Sequence, residues 1–280
     1  AETGETLSFA ELEAAANRGA HALRALGVGT GDAIAVWLPN SLAWFPLFWA
    51  AQRAGVHFVP IATSLTAEEA RYIVEDSGAK LLVTSGEIAA AAAVEDVPRF
   101  TAGAPIDDVE DWFDATAGHP ATPIADEACG AYMVYSSGTT GVPKGIRQPL
   151  LPGPVDQPIP MAMLLAMRYG LGPDSVYLSP APLYHTAPLA FSLGAQRLGG
   201  TAVILRKFDP EEALKAIERY RVTFTQMVPT MFHRLLRLPE ETRARYDLSS
   251  LKGLVHAAAP CPIETKRAMI EWLGPILHEY

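Results

Sequence analysis

Apolar residues along this chain recur in two alternating patterns. Leu12, Ala15, Ala16, Gly19, Leu23 and Leu26 stand at helical spacing behind a Ser8 and Glu11 capping box, and Gly27 ends the run. A short apolar strand, AIAVWL, follows the turn at Gly31-Asp32. The pattern repeats as a helix over about 41–54, a strand VHFVP, a helix opened by a second capping box at Thr66 and Glu69, and a strand KLLVT. The segment between Ala89 and Cys129 is less regular. Beyond it the strands AYMVY, SVYLSP, TAVIL, VTFTQM and GLVHAA alternate with helices near 187–196, 211–220, 230–238 and 263–273. Such alternation predicts an α/β fold of mostly parallel sheets covered by helices. The Pro-, Gly- and Asp-rich passage AGHPATPIADEACG reads as a surface connection between two lobes, near residues 115–130.

Composition narrows the function classes. The chain has 280 residues, 49% of them hydrophobic and 19% charged, which suits one large core or two smaller ones and argues against disorder. A formal charge of -9 leaves no broad basic face for nucleic acid, so an anionic ligand must be held by a local constellation. Cys129 and Cys261 have no metal or disulfide spacing and read as buried packing thiols in a reducing, cytoplasmic setting. No apolar run reaches the ~18 residues of a membrane span, and no signal core follows the N-terminus. The richest apolar segment, AWFPLFWAAQRAG, contains Pro46 and Arg53 and reads as a buried helix that Pro46 can kink. Peripheral membrane contact stays open, although no basic amphipathic segment argues for it.

The chemistry centres on YSSGTTGVPKG, Tyr135 to Gly145, directly after an apolar strand. Ligands of α/β sheets collect beyond the carboxyl ends of strands. Glycines let the backbone approach a ligand, while the hydroxyls of Ser136, Ser137, Thr139 and Thr140 and the backbone amides can donate to phosphate oxygens, with Lys144 as a point charge. A flexible linker shares this composition but has no need of a fixed Pro-Lys-Gly ending. Two residues separate Gly138 from Gly141 and Lys144 precedes glycine, so the spacing of the common nucleoside-triphosphatase loop is not met; nor is G-x-G-x-x-G present here.

This stretch resembles, without a gap, the phosphate loop of the adenylate-forming superfamily: acyl-CoA synthetases, aryl-CoA ligases, luciferases and peptide-synthetase adenylation domains. LSFAELEAAANRGAHALRALGVGTGDAIAVWLPNS and RAGVHFVPIATSLTAEEARYIVEDSGAKLLVTS are similar to the segments that precede the loop in that superfamily. The resemblance implies that residues 1–280 are part of an N-terminal AMP-binding domain of acyl-CoA synthetase type, with two stacked lobes. It implies ATP, Mg²⁺ and coenzyme A as cofactor and co-substrates, and a carboxylic acid as the group activated. Ser136, Ser137, Gly138, Thr139, Thr140, Gly141 and Lys144 would hold the phosphates, Thr139 or Thr140 would meet the magnesium, and Lys144, Thr139, Thr140 and His185 would serve catalysis.

Two further stretches carry the resemblance. In PLYHTAP, Tyr184 and His185 match the aromatic residue and histidine beside the acyl site; a histidine satisfied at a strand-to-helix turn is the plainer alternative. In LKGLVHAAAPCP, the small Ala257, Ala258 and Ala259 with Pro260 match the loop on which adenine lies, although tight packing also favours small residues. Met231 and Phe232 of VPTMFHRLLRL could line an apolar tunnel for a fatty or bulky acid, against the stronger alternative of an ordinary amphipathic core helix.

The chain stops at PILHEY, where the superfamily runs on into Tyr-Gly-x-Thr-Glu and a small lysine-bearing C-terminal domain, so the piece alone is not expected to be fully active. After the loop, GIRQPLLPGP departs from the usual pattern and suggests a different lid over the phosphates, with Arg147 as a solvated charge. The leading reading is ATP-dependent conversion of an apolar acid to an acyl-adenylate and then an acyl-CoA. An acyl-AMP ligase serving a carrier protein and a non-catalytic nucleotide- or acyl-binding module are the alternatives. Oligomeric state is left open.

Overall fold

The computed structural model describes residues 1–94, 96–136 and 143–280. The chain divides into two compact units, one of Thr6–Gln157 and one of Ala1–Glu5 with Pro158–Tyr280.

In the Thr6–Gln157 unit, β1 (Ala33–Trp37), β2 (His57–Pro60), β3 (Ala79–Thr84), β4 (Arg99–Thr101), β5 (Ala131–Ser136) and β6 (Lys144–Arg147) form a sheet in the order β4-β3-β1-β2-β5-β6. All neighbours are parallel except β5 and β6, which form an antiparallel pair. Every residue of β1 and β2 is buried, as parallel strands covered on both faces require. The helices are α1 (Phe9–Ala25), α2 (Trp44–Arg53), α3 (Ala67–Ser77) and α4 (Trp112–Thr116). Both capping boxes form: Ser8 with Glu11 opens α1 and Thr66 with Glu69 opens α3, each satisfying backbone N–H groups that the helix leaves unpaired. A Cβ at Gly19 of α1 would lie 2.7 Å from the Ala50 Cβ of α2, so glycine permits the close α1–α2 packing. Pro46 falls in the first turn of α2, where its missing N–H is not needed, and no kink is required of it.

In the Pro158–Tyr280 unit, β7 (Val176–Ser179), β8 (Thr201–Ile204), β9 (Phe224–Met227), β10 (Gly253–His256) and β11 (Leu277–Glu279) form an all-parallel sheet in the order β11-β10-β9-β7-β8. Its helices are α5 (Pro160–Tyr169), α6 (Thr186–Arg197), α7 (Pro210–Tyr220), α8 (Pro229–Leu236), α9 (Glu240–Arg243) and α10 (Ile263–Leu273). One face of the sheet carries Tyr177, Phe224 and Val255 against Leu165 of α5 and Phe191 of α6. A second cluster gathers Leu178, Ile217, Phe232, Leu254 and Met269.

Several expectations change. The 115–130 passage runs along α1 inside the first unit: Asn17 Nδ2 and His21 Nε2 meet the carbonyls of Ala121 and Thr122, and Arg24 pairs with Asp126 at 2.9 Å. The chain passes from one unit to the other between Gln157 and Pro158. Lys144–Arg147 is an edge strand, and α5, which the pattern did not reveal, is apolar on most sides but bracketed by Pro160 at its first turn and left-handed Gly170 at its end. Cys129 is buried, whereas Cys261 is only partly covered. Among the described residues no helix is long and apolar enough to cross a membrane.

Candidate functional site

In the Thr6–Gln157 unit, the phosphate-loop stretch joins the carboxyl end of β5 to the start of β6. Ser136 pairs with Lys144, Tyr135 with Gly145, Val134 with Ile146 and Met133 with Arg147. Ser137, Gly138, Thr139, Thr140 and Gly141, expected to hold phosphate and magnesium, lie outside the described residues. Lys144 is exposed on the first residue of the exit strand.

Helix α3 braces this hairpin. The Tyr135 hydroxyl donates to Asp76 Oδ2 at 2.6 Å, and the Tyr72 hydroxyl donates to the Pro143 carbonyl at 3.2 Å. Burial, then the Asp76 hydrogen bond and charge, hold the Tyr135 pKa far above its ordinary value, so it stays a neutral donor. Arg147 is not a free surface charge. Its guanidinium donates to the Ser77 carbonyl at 2.7 Å and to the Gly31 carbonyl at 3.2 Å, tying β6 to the negative end of α3. Tyr72, Asp76 and Tyr135 were not singled out from sequence as a group, because 59 residues separate Asp76 from Tyr135.

In the Pro158–Tyr280 unit, β7 leads through PLYHTAP into α6. His185 is the N-cap residue of α6 with an extended backbone, and its side chain makes no capping hydrogen bond, so the turn does not consume the imidazole. Its ring lies 4.6 Å from that of Tyr184. Although solvent reaches His185, the protein mass around the ring disfavours the imidazolium and lowers its pKa, leaving a neutral ring near pH 7.

The strand β10 delivers the Ala257–Pro260 turn. Ala257 is buried while Ala258, Ala259 and Pro260 are exposed. Ala258 takes φ 71°, a left-handed conformation that costs a non-glycine residue about 1–2 kcal/mol. Small residues therefore do more here than fill a tight corner: they present a strained, open backbone turn. His256, one residue before, is buried with both ring nitrogens lacking hydrogen-bond partners, and its ring stands edge-on to Phe232 at 5.4 Å. Burial lowers its pKa, opposed by the charge of Glu279, the residue paired with it on β11.

Met231 and Phe232 sit in the core cluster, Phe232 with no exposed surface. The amphipathic alternation of α8 thus serves packing in this conformation. Tyr280, at the end of the chain, is largely exposed and stacks on Phe191 at 6.4 Å.

Comparison with known proteins agrees with this layout. A family model described as "AMP-binding enzyme" matches residues 1–280. The chain is 35% identical over 264 residues to a feruloyl-CoA synthase from Amycolatopsis sp, covering 93% of this chain and 51% of that protein. It is 32% identical over 269 residues to the long-chain-fatty-acid–CoA ligase FadD13 of Mycobacterium tuberculosis, again 93% of this chain and 51% of the relative. The amide bond synthetase McbA from Marinactinospora thermotolerans superimposes with a TM-score of 0.83 at 27% identity, covering 99% of this chain and 55% of that one. The chain spans about half the length of the curated relatives it matches. A family model that covers the whole sequence and two mostly parallel sheets flanked by helices lead to one conclusion: the chain belongs to the AMP-binding enzyme family.

Proposed function

We propose that the protein activates a carboxylic acid with ATP, forming an acyl-adenylate and then an acyl-CoA, and that residues 1–280 are part of its adenylation domain. The observation that carries this reading is YSSGTTGVPKG at the carboxyl end of β5, with the entry strand held to α3 by Tyr135 and the exit side held to it by Tyr72 and Arg147.

In the first half-reaction a carboxylate oxygen attacks the α-phosphorus. The new O–P bond forms as the bond to the pyrophosphate oxygen breaks, and charge moves onto the leaving group. Loop amides and hydroxyls and the Lys144 ammonium stabilise that charge. His185, held neutral, donates a ring N–H to the acid without forming the ion pair that would quench its nucleophilicity. The backbone turn at Ala258 and Ala259 gives a flat base room to approach. In the second half-reaction a thiolate, that of coenzyme A, displaces AMP from the acyl carbon.

Magnesium would meet the hydroxyl of Thr139 or Thr140. Those residues lie outside the described set, and among the described residues no group of three or more His, Cys, Asp or Glu side chains is placed to hold a metal ion, so no step is assigned to it. The acid is an apolar one of fatty or aryl type, in line with the names of the two relatives above. Transfer to a carrier-protein thiol is the second reading, and free cysteines fit a cytoplasmic setting. Acid-dependent exchange of labelled pyrophosphate into ATP by the full-length gene product, across a panel of acids, tests the proposal. Exchange with a subset of acids, followed by CoA-dependent AMP release, is expected; a folded protein that exchanges with none refutes it.

A further inference from the structure

His57 is the first residue of β2 and is 4% exposed. Its ring stands between two backbone carbonyls of the Thr6–Gln157 unit: Nδ1 lies 3.3 Å from the Gly31 oxygen and Nε2 lies 3.0 Å from the Gln148 oxygen. A carbonyl oxygen only accepts hydrogen bonds. Neutral imidazole has one N–H, so in either tautomer the other ring nitrogen turns its lone pair toward an oxygen. Only the doubly protonated ring donates to both.

Both carbonyls belong to segments tied to the phosphate-loop hairpin. Gln148 follows directly on β6, the exit strand, and its N–H donates to the Tyr132 carbonyl of β5 at 3.0 Å. Gly31 lies in the turn before β1 with φ 90°, a left-handed conformation that glycine takes without strain, and its N–H donates to the Gly55 carbonyl at 2.8 Å. The Gly31 carbonyl also accepts from Arg147 Nη1 at 3.2 Å, so imidazole and guanidinium close on one oxygen, from β2 and from β6. The charged groups around this clasp come from three segments. Arg147 on β6, whose other contact is the Ser77 carbonyl, is the cation that opposes a second proton on the ring. Asp32, next to Gly31, turns its carboxylate to the Gly29 N–H at 2.8 Å, and Asp76, next to Ser77 on α3, accepts from Tyr135 at 2.6 Å. Both carboxylates are thus engaged elsewhere, and the two carbonyl dipoles are what the ring nitrogens meet.

We infer that His57 is a positioning residue for the phosphate loop: its doubly protonated ring ties the far end of β6 to the Gly31 turn, and loss of one ring proton releases one of the two carbonyls. The inference rests on the ATP-dependent reading above and adds to it a proton-dependent hold on the exit strand. Lys144 starts β6 and Gln148 stands just beyond its end, so a strand fixed at Gln148 keeps Lys144 in register with Ser136. His57 acts through β6, not on the reacting atoms. In acid both carbonyls are served and the strand is held; as the pH rises through the histidine range one bond is lost and the hold weakens.

Two measurements on the full-length gene product test this. Nitrogen NMR of protein carrying isotope-labelled histidine reads the ring directly, and His57→Gln identifies its signals. At about pH 6 both His57 nitrogens are expected in the protonated range, and by about pH 8.5 one of them in the unprotonated range. One unprotonated nitrogen already at about pH 6, or no change up to about pH 8.5, overturns the proposal. The ATP dependence of pyrophosphate exchange reads the consequence. Glutamine keeps one donor at every pH, so the KM for ATP of His57→Gln should exceed the parent's by about threefold or more at about pH 6 and approach it at about pH 8.5, with kcat moving less than KM. Taking the ratio of the two proteins cancels the titration of ATP itself. A ratio that does not change with pH overturns this proposal alone. Should His57→Gln not fold, the parent's ring signals, assigned through bonds from its own backbone, decide the matter. Exchange with no acid overturns the activation reading and the role in ATP binding with it, while the nitrogen signals decide the clasp itself.

Discussion

The brace between α3 and the phosphate-loop hairpin can be tested through one hydrogen atom, that on Gly145 where a methyl would go. A Cβ built there would lie 2.5 Å from Met133 Cε, 2.9 Å from Tyr135 Cζ and 3.0 Å from the Tyr135 hydroxyl. Met133 presents the end of a flexible side chain and can swing aside. Tyr135 cannot move freely, because its hydroxyl is held on Asp76 at 2.6 Å. Gly145→Ala must therefore displace the ring or β6 by roughly 0.5–1 Å to restore ordinary contact. Overpacking of this kind costs about 1–3 kcal/mol, with about 1 kcal/mol within that range from the strained Tyr135–Asp76 hydrogen bond, which is partly solvated. Because the displaced strand begins at Lys144, the proposed ATP site should suffer too, by up to about 100-fold in kcat/KM. Urea unfolding and the ATP dependence of pyrophosphate exchange measure both effects. Tyr135→Phe frees the ring from Asp76, so Tyr135→Phe/Gly145→Ala should cost at least about 0.5 kcal/mol less than the sum of the single changes. A Gly145→Ala protein with the parent's urea midpoint and ATP kinetics, or strict additivity in the double variant, would refute the brace.

Arg147→Ala should lose about 1–2 kcal/mol in urea unfolding, since two charge-assisted bonds to the Ser77 and Gly31 carbonyls are removed; Arg147→Lys should recover less than half, because one ammonium cannot serve both carbonyls. Full recovery by lysine would show that charge alone matters. Phe232→Ala should cost about 3–5 kcal/mol as a core truncation; a cost under about 1 kcal/mol with turnover shifted toward longer acids would instead make Phe232 a tunnel wall. His256 has a folded-state pKa depressed by burial, with Glu279 opposing and Lys266 adding to the shift. Its unfolded counterpart, near 6.5, binds the proton that the folded ring refuses, so stability is complete above about pH 6.5 and falls as the pH drops below it. His256→Leu should flatten that fall between pH 7.5 and 5.5; an unchanged slope would rule His256 out as its source.

Most of the order of helices and strands and both capping boxes were legible in the residues, because each rests on local rules: periodicity, and an N-cap three residues before a glutamate. What escaped was whatever depends on distant parts of the chain meeting. Lys144–Arg147 is too short to show a period and becomes a strand only because β5 offers it a ladder. The α5 helix lacks a polar stripe, and its Pro160 and Gly170 brackets were its one local sign. The 115–130 passage has the composition of a linker, yet contacts to Asn17, His21 and Arg24 hold it on α1.

The same division holds at the site. The phosphate-binding role proposed for YSSGTTGVPKG comes from its residue types and from the resemblance that runs through them, because phosphate recognition uses contiguous backbone and hydroxyl groups. Its bracing does not show there, since Tyr72, Asp76 and Arg147 are brought to the hairpin by folding. Likewise, in sequence Tyr177, Ser179 and Gln226 are ordinary residues in apolar strands. Only burial, which strips away water, leaves their polar atoms without hydrogen-bond partners.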